Sequence, residues 1–280
     1  MQIIETISEM KQQAAEWRAA NKRVALVPTM GALHAGQGAL IKAAKEQADI
    51  VVVVLMVNPL QFAPNEIVSD YPETPEVDRE LCEKSGATVV LATKPEVFFP
   101  KGFSTYVDEK RLSKPLCGVS RPTHSRGVVT LIAKLLNIVR PQSVYFGQKT
   151  AQRVAVVRKM IADLDFDAQV VVVPTARDSE GLAFDTNAST FTANQRKEAL
   201  SISRSLNKVS EMVASGVRSP DRLVAEVTHI LGEYRQVRVI YVSLVNRETM
   251  QPVRGVEPGK CLLAISVWIN EVRMVDNILL

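Results

Sequence analysis

Aromatic side chains are scarce in this chain, at 5% of 280 residues. Leu, Ile, Val and Ala dominate an apolar fraction of 46%, which favours an α/β or helical core of useful size. The length suits one large domain or two smaller ones. Cysteine is nearly absent. Cys82, Cys117 and Cys261 stand far apart, in no metal-ligand spacing and no even disulfide set. That excludes a disulfide framework and a cysteine metal centre, fits a reducing cytoplasm, and makes each thiol a small core residue before a nucleophile. Long apolar runs are missing too. The longest, 50–57, is too short to cross a bilayer, so no membrane role is expected. The opening stretch MQIIETISEMKQQAAEWRAANK lacks the charged, apolar, small order of a secretory signal. No excess of one charge stands out either. The net charge is +4 and basic residues are spread throughout, leaving no nucleic-acid footprint but leaving anionic small molecules as partners.

What is present is an alternation of two periodicities. Ile3, Ile4, Ile7, Met10 and Ala14 predict a first helix over 3–20. A short strand over 24–27 is closed by Pro28, and a helix follows over 36–47. The run IVVVVLMV reads as a strand buried on both faces of a parallel sheet. Helices are predicted over 75–84, 127–139 and 151–162, and strands over 87–92, 144–146 and 169–173. A further short strand is expected at 104–107. Strands alternating with helices of about a dozen residues indicate βαβ units. The expected fold is a Rossmann-like doubly wound parallel sheet over 1–176, with ligands at the carboxyl ends of its strands. From 177 to 280 the order changes to two helices (193–215, 219–233) and three strands (237–245, 261–269, 271–278). That predicts a smaller α+β lid domain with an antiparallel sheet.

Five segments could carry chemistry, and most sit after predicted strands. His34-Ala35-Gly36-Gln37 opens a helix. A histidine there can donate to a phosphate, the glycine lets the backbone approach, and the helix N-terminus adds free N–H groups; His34 could equally cap a turn. Asn58 and Gln61, in VNPLQF, offer uncharged amides that orient a hydroxy acid or serve only the local backbone. Arg121, His124 and Arg126, ahead of a helix in SRPTHSRGV, read as an anion site or a solvated loop. Lys149, in YFGQKTAQR, is placed to neutralise phosphate charge, although a lone loop lysine is usually solvated. The run Gly181 to Ala188 alone reads only as a turn.

Taken in order, VPTMGALHAGQ, VNPLQF, SRPTHSRGV, YFGQKTAQ, ARDSEGLA and MVDNILL resemble the pantothenate synthetase (pantoate–β-alanine ligase) family across essentially the whole chain. The resemblance implies a class I nucleotidylyltransferase-like fold, ATP with Mg²⁺, acid and amine substrates, and a homodimer. It also implies roles. His34, Gln37 and Lys149 would be catalytic. Met30, Gly36, Gly147, Lys149, Thr150, Asp185, Thr186 and Asn187 would frame ATP. Asn58, Gln61, Tyr71, Arg121, His124, Gln152 and Arg153 would hold the acid and amine. No metal-ligating residue is named.

Five positions depart from the family pattern. Gln37 stands for the second histidine of HxGH, Thr150 for an aspartate, and Arg153 for a glutamine that binds pantoate. Asp185 and Asn187 replace a serine and the arginine of the loop that closes over the triphosphate. Each lost phosphate donor costs about 2–4 kcal/mol in a transition state, and Asp185 would repel the triphosphate. Arg153 suggests a more anionic acid than pantoate. The resemblance therefore implies an ATP-dependent amide ligase working through an acyl-adenylate. The alternative is a divergent paralogue with impaired adenylation, acting without ATP or as a binding or regulatory protein. A nucleotidylyltransferase for a phosphorylated substrate is disfavoured by VNPLQF and SRPTHSRGV.

Overall fold

A computed structural model describes residues 1–62 and 66–280. The chain runs β1 (Gln2–Ile4), α1 (Ile7–Ala19), β2 (Val24–Thr29), α2 (Ala35–Gln47), β3 (Ile50–Leu55), α3 (Pro75–Ser85) and β4 (Val89–Ala92). It continues through the short helices α4 (Pro95–Phe98) and α5 (Cys117–Ser120) to α6 (His124–Val139), β5 (Ser143–Gly147), α7 (Ala151–Asp163) and β6 (Gln169–Val173). Last come α8 (Ala193–Ala214), α9 (Pro220–Gly232), β7 (Val237–Asn246), β8 (Cys261–Ile269) and β9 (Val272–Leu279).

The first six strands make one parallel sheet, ordered β1-β4-β3-β2-β5-β6. Successive side chains on a strand face opposite ways, so a strand buried on both faces is apolar throughout. Val52 and Val54 belong to the core shared with α6 and α7, while Val51 and Val53 belong to the core shared with α2 and α3. The strand order reverses between β2 and β5. In parallel sheets of this kind the crevice at that reversal is where ligands bind. Here β5 pairs with β2 only at Ala25 and Leu26, so the two strands part beyond that point and open the crevice. β7, β8 and β9 form a separate antiparallel sheet, backed by α8 and α9 through a core that includes Leu206, Leu223, Leu231, Leu263 and Val267.

Three expectations about elements are corrected. Ile3 and Ile4 do not start a helix; they lie in β1, paired with Val90 and Leu91. The Thr6 side chain accepts the Glu9 N–H, so α1 begins only at Ile7. Pro28 does not close β2, because it lies beyond the last β2–β5 pairing, where a missing N–H breaks no bond to that neighbour. Residues 104–107 form no strand. The Val107 backbone is instead bonded to the Thr130 hydroxyl of α6, as donor at 3.0 Å and as acceptor at 3.2 Å.

Candidate active site at the sheet's reversal

The loop leaving β2 is held in an unusual shape. Gly31 and Ala32 both have positive φ (83° and 48°). That is uncommon for a residue with a side chain. Asp78 of α3 fixes it: its buried carboxylate accepts the Ala32 and Leu33 N–H groups at 2.9 and 2.7 Å. The Tyr71 hydroxyl donates to the Gly31 carbonyl at 3.2 Å. Asp78 was missed in the sequence, where it reads only as an acidic residue in a helix's first turn.

This loop delivers His34 to the N-terminus of α2. The Gly36 N–H donates to Nδ1 of His34 at 3.0 Å, so in the neutral ring the proton sits on Nε2. A Cβ on Gly36 would come within 2.7 Å of that ring, so glycine lets the imidazole fold back. Gln37 completes the cap, its side-chain oxygen accepting the His34 N–H at 3.0 Å. Its amide NH₂ is left for the cleft, which Gln37 lines. Burial, then the nearby Lys149 ammonium, push His34 from 6.5 down to about 4, against an opposing pull from Asp185.

On the other side of the crevice, β5 ends in the turn that carries Lys149. Its ammonium donates to the Phe184 carbonyl at 2.8 Å and to Asp185 Oδ2 at 2.5 Å. Asp185 is therefore not the bare repelling charge expected of it; the lysine balances it, with both side chains largely buried. Thr186 donates to the Ala32 carbonyl at 3.1 Å, tying the 181–188 segment to the loop after β2. Asn187 is exposed and its N–H donates to Asp185. The Thr150 hydroxyl turns back to the Gly147 carbonyl at 3.2 Å. Gly147 has open space where a Cβ would point. β9 braces this turn from below. Asn277 donates to the carbonyls of Gln148 and Lys149, both at 2.9 Å, and Arg177 forks onto Asp276 at 2.6 and 3.0 Å. The Asp276–Asn277 pair lies in MVDNILL, a segment legible by resemblance but with no role assigned to it.

The third wall is the turn after β3 and the start of α6. Gln61 is buried and lines the cleft. Its carbonyl accepts Nδ1–H of His124 at 2.9 Å and an Arg121 Nη2–H at 3.3 Å. Burial, then the Arg153 charge, hold His124 neutral by lowering it to about 3. Arg121 is paired with Glu66 and so is not a free anion receptor. Arg126 lies over the Tyr106 ring, 4.9 Å from its centre, rather than in the cleft. Of the two roles open to Asn58 the structure shows the backbone one, and the Gln152 amide is engaged in the same way. Asn58 is fully buried, donating to the Gly127 carbonyl and accepting the Leu60 N–H, which is the backbone-satisfying role. Gln152 donates to the carbonyls of Leu112 and Pro115 and accepts the Cys117 N–H, so it braces a loop. Arg153 has no hydrogen-bond or ion-pair partner among the described residues, and its Nε is sealed from water.

These walls enclose a cavity of about 970 Å³ joined to a smaller one of about 300 Å³. His34, Gly36, Gln37 and Gly147 line the smaller one, and Arg121, His124 and Gln152 the larger. Met30, Gln61, Tyr71, Lys149, Thr150, Arg153, Asp185, Thr186 and Asn187 line both. A cationic and hydrogen-bonding small compartment thus opens into a larger one with amide and guanidinium groups.

The two half-buried histidines set an acid limit on stability. Their folded values, about 4 and about 3, lie below the ordinary 6.5. From pH 6.5 down to 4 the unfolded chain takes up protons that the folded chain refuses. Stability is then complete above 6.5 and falls with pH by about 1.4 kcal/mol per unit for each histidine, or about 2.7 together. Urea unfolding at a series of pH values checks this. In His124→Asn, whose amide still reaches the Gln61 carbonyl, the slope between pH 6 and 4.5 should fall by about half. A flat profile in the unsubstituted protein would contradict the assignment.

The family model described as pantoate-beta-alanine ligase matches residues 2–279. The pantothenate synthetase of Thermotoga neapolitana is 41% identical over 280 residues, covering 100% of both chains. That of Geobacter sulfurreducens is 40% identical over 280 residues, covering 100% of this chain and 99% of its own. The crystal structure of pantothenate synthetase from Thermus thermophilus superimposes with a TM-score of 0.92 at 34% identity, over 99% of each chain. The pantoate-beta-alanine ligase of Francisella tularensis, solved with beta-gamma ATP and beta-alanine, gives a TM-score of 0.79 at 25% identity, over 100% of this chain and 97% of its own.

Proposed function

This chain belongs to the pantoate–β-alanine ligase family, and from that premise we propose that it activates a hydroxy acid with ATP as an acyl-adenylate and then joins the acid to β-alanine or a related amine. One carboxylate oxygen attacks the α-phosphorus, an O–P bond forms, the bond to the bridging oxygen breaks, and pyrophosphate leaves. The amine nitrogen then attacks the acyl carbon, the acyl–oxygen bond to AMP breaks, and the amine gives up a proton. The difficulty is charge: an anionic acid must reach an anionic triphosphate. What carries the reading is that His34 and Lys149 leave β2 and β5, the strands flanking the reversal, and line one compartment.

The donor set fits a triphosphate. The Nε2–H of His34 is free of the capping bond, Gln37 keeps its amide NH₂, and the Gly147 backbone has open space before it. Magnesium, when bound, would offset phosphate charge; such ions are usually held by one or two carboxylates and the phosphates themselves. Asp185, the carboxylate that lines both compartments, is already engaged by Lys149, so the ion would rest chiefly on the phosphates. Gln61 and Arg153 orient the acid, with Tyr71 and His124 toward the amine. Residues 1–176 act as the nucleotide- and acid-binding domain and 177–280 as a lid. The active form is a homodimer in the cytoplasm, by resemblance to the family.

One observation favours the second reading, loss of adenylation: Lys149 is already engaged by Asp185 and the Phe184 carbonyl. Exchange of labelled pyrophosphate into ATP separates the two. Acid-dependent exchange, followed by amine-dependent AMP release, supports the ligase. No exchange with any acid, together with no ATP binding by calorimetry, supports the paralogue.

A further inference from the structure

We propose that the acid substrate carries a second anionic group, a carboxylate or a phosphate ester, and that Arg153 receives it. This rests on the acid-binding reading of the larger compartment. A half-buried guanidinium with no protein partner is costly, and one left that way at a cavity wall has its charge available to an anion. Arg153 is such a group. Its Nε is secluded and makes no hydrogen bond, while its side chain borders both compartments.

The surrounding charges sharpen the point. Lys149 has Asp185, Arg121 has Glu66, and Arg177 has Asp276. Arg153 has no such pairing among the described residues. Its neighbours add positive or neutral character: Arg121 is close enough to oppose its charge, and His124 is held neutral beside it. A neutral hydroxyl would satisfy one N–H of a fork that presents several, whereas a carboxylate or phosphate accepts two at once. Gln61 remains to hold an uncharged hydroxyl. Lys149, four residues before Arg153 and bordering the same two compartments, stays with the reacting carboxylate and the phosphates. A short acid with an anion at each end can then meet both cations, while a monoacid leaves Arg153 unmet.

The test is calorimetric binding of four acids to the full-length protein without ATP: pantoate, 3,3-dimethylmalate (pantoate's skeleton with a terminal carboxylate), malate and pantoate 4-phosphate. At least one doubly anionic acid should bind ten times or more tighter than pantoate; the two types of probe tell carboxylate from phosphate. In Arg153→Gln, which puts back the glutamine of the family pattern, that acid should weaken about a hundredfold while pantoate binds as tightly or more tightly. Arg153→Lys, which keeps the charge and loses the fork, should fall between. Pantoate binding as tightly as every diacid in the unsubstituted protein overturns the proposal, whether or not the variants fold. So does an equal loss of pantoate and diacid in Arg153→Gln. Pyrophosphate exchange with the same acids reports separately on the ligase reading: a diacid preference in binding with no exchange and no ATP binding would count against that reading and leave this one standing.

Discussion

Lys149→Ala is expected to lower the turnover of acid-dependent pyrophosphate exchange by at least about a thousandfold. Removing one preorganised donor from a developing charge costs about 10²–10³ in rate, and two further effects add to it here. Lys149 is the ammonium that lines both compartments, and its loss leaves the largely buried Asp185 unpaired. An uncompensated carboxylate then faces the phosphates where low polarity strengthens repulsion. Breaking a buried pair by removing one partner also destabilises, by about 3–5 kcal/mol at full burial and less at the 14% and 16% side-chain exposure found here. Thermal unfolding must therefore accompany the kinetics. The double variant Lys149→Ala, Asp185→Ser separates the contributions. It should recover stability and up to about tenfold in rate, the share owed to repulsion, and no more. Exchange within threefold of the unsubstituted protein for Lys149→Ala would remove the lysine from the chemistry.

Asp185→Ser alone tests the opposite side of the pair. In the structure the lysine is satisfied without any phosphate. On the proposed function a triphosphate would have to displace that carboxylate, so Asp185→Ser is expected to tighten ATP binding severalfold in calorimetry. The pair makes Asp185 one half of a neutral ion pair in place of an isolated charge.

Much of the fold was legible because burial imposes period. β3 reads as a doubly buried strand since Val51 to Val54 have no polar alternation, and both its faces are covered. The element that escaped, β1, is three residues long, too short to show any period, and its apolar residues continue by chance into the spacing of α1. The places of His34 and Lys149, after β2 and β5, were legible from strand, turn and helix in sequence. Their partners were not, because those come from far along the chain: Asp78 for the first loop, Asn277 for the turn bearing Lys149. Nor can local sequence tell an amide that faces a substrate from one that holds a backbone. Gln61 borders the cavity while Asn58, three residues earlier, is spent on Gly127 and Leu60, and only the packing of α6 on that turn distinguishes them.

That packing supplies the other large effect. A Cβ on Gly127 would lie 2.1 Å from the Leu60 carbonyl oxygen, 2.4 Å from its carbon and 2.9 Å from the Gln61 nitrogen. All three are backbone atoms, so no side chain can swing aside, and the first turn of α6 and the turn after β3 must separate. Overpacking in a filled interior usually costs about 1–3 kcal/mol and more where the backbone has to move; about 3–5 kcal/mol is expected for Gly127→Ala. The catalytic cost should exceed what stability alone predicts. The same contact places the Gln61 carbonyl that receives His124 and Arg121, and it aligns the Asn58 bond to Gly127. A shift of about 1 Å in a positioning element can cost a hundredfold in rate. At a temperature where the variant remains folded, kcat/KM for the acid should therefore drop by about that factor while the affinity for ATP, which the proposed function assigns to the loops after β2 and β5, stays within a few fold. If both fall together, the two halves of the cleft are one cooperative unit. If neither falls, α6 and the turn can part without disturbing Gln61, and the acid is held elsewhere.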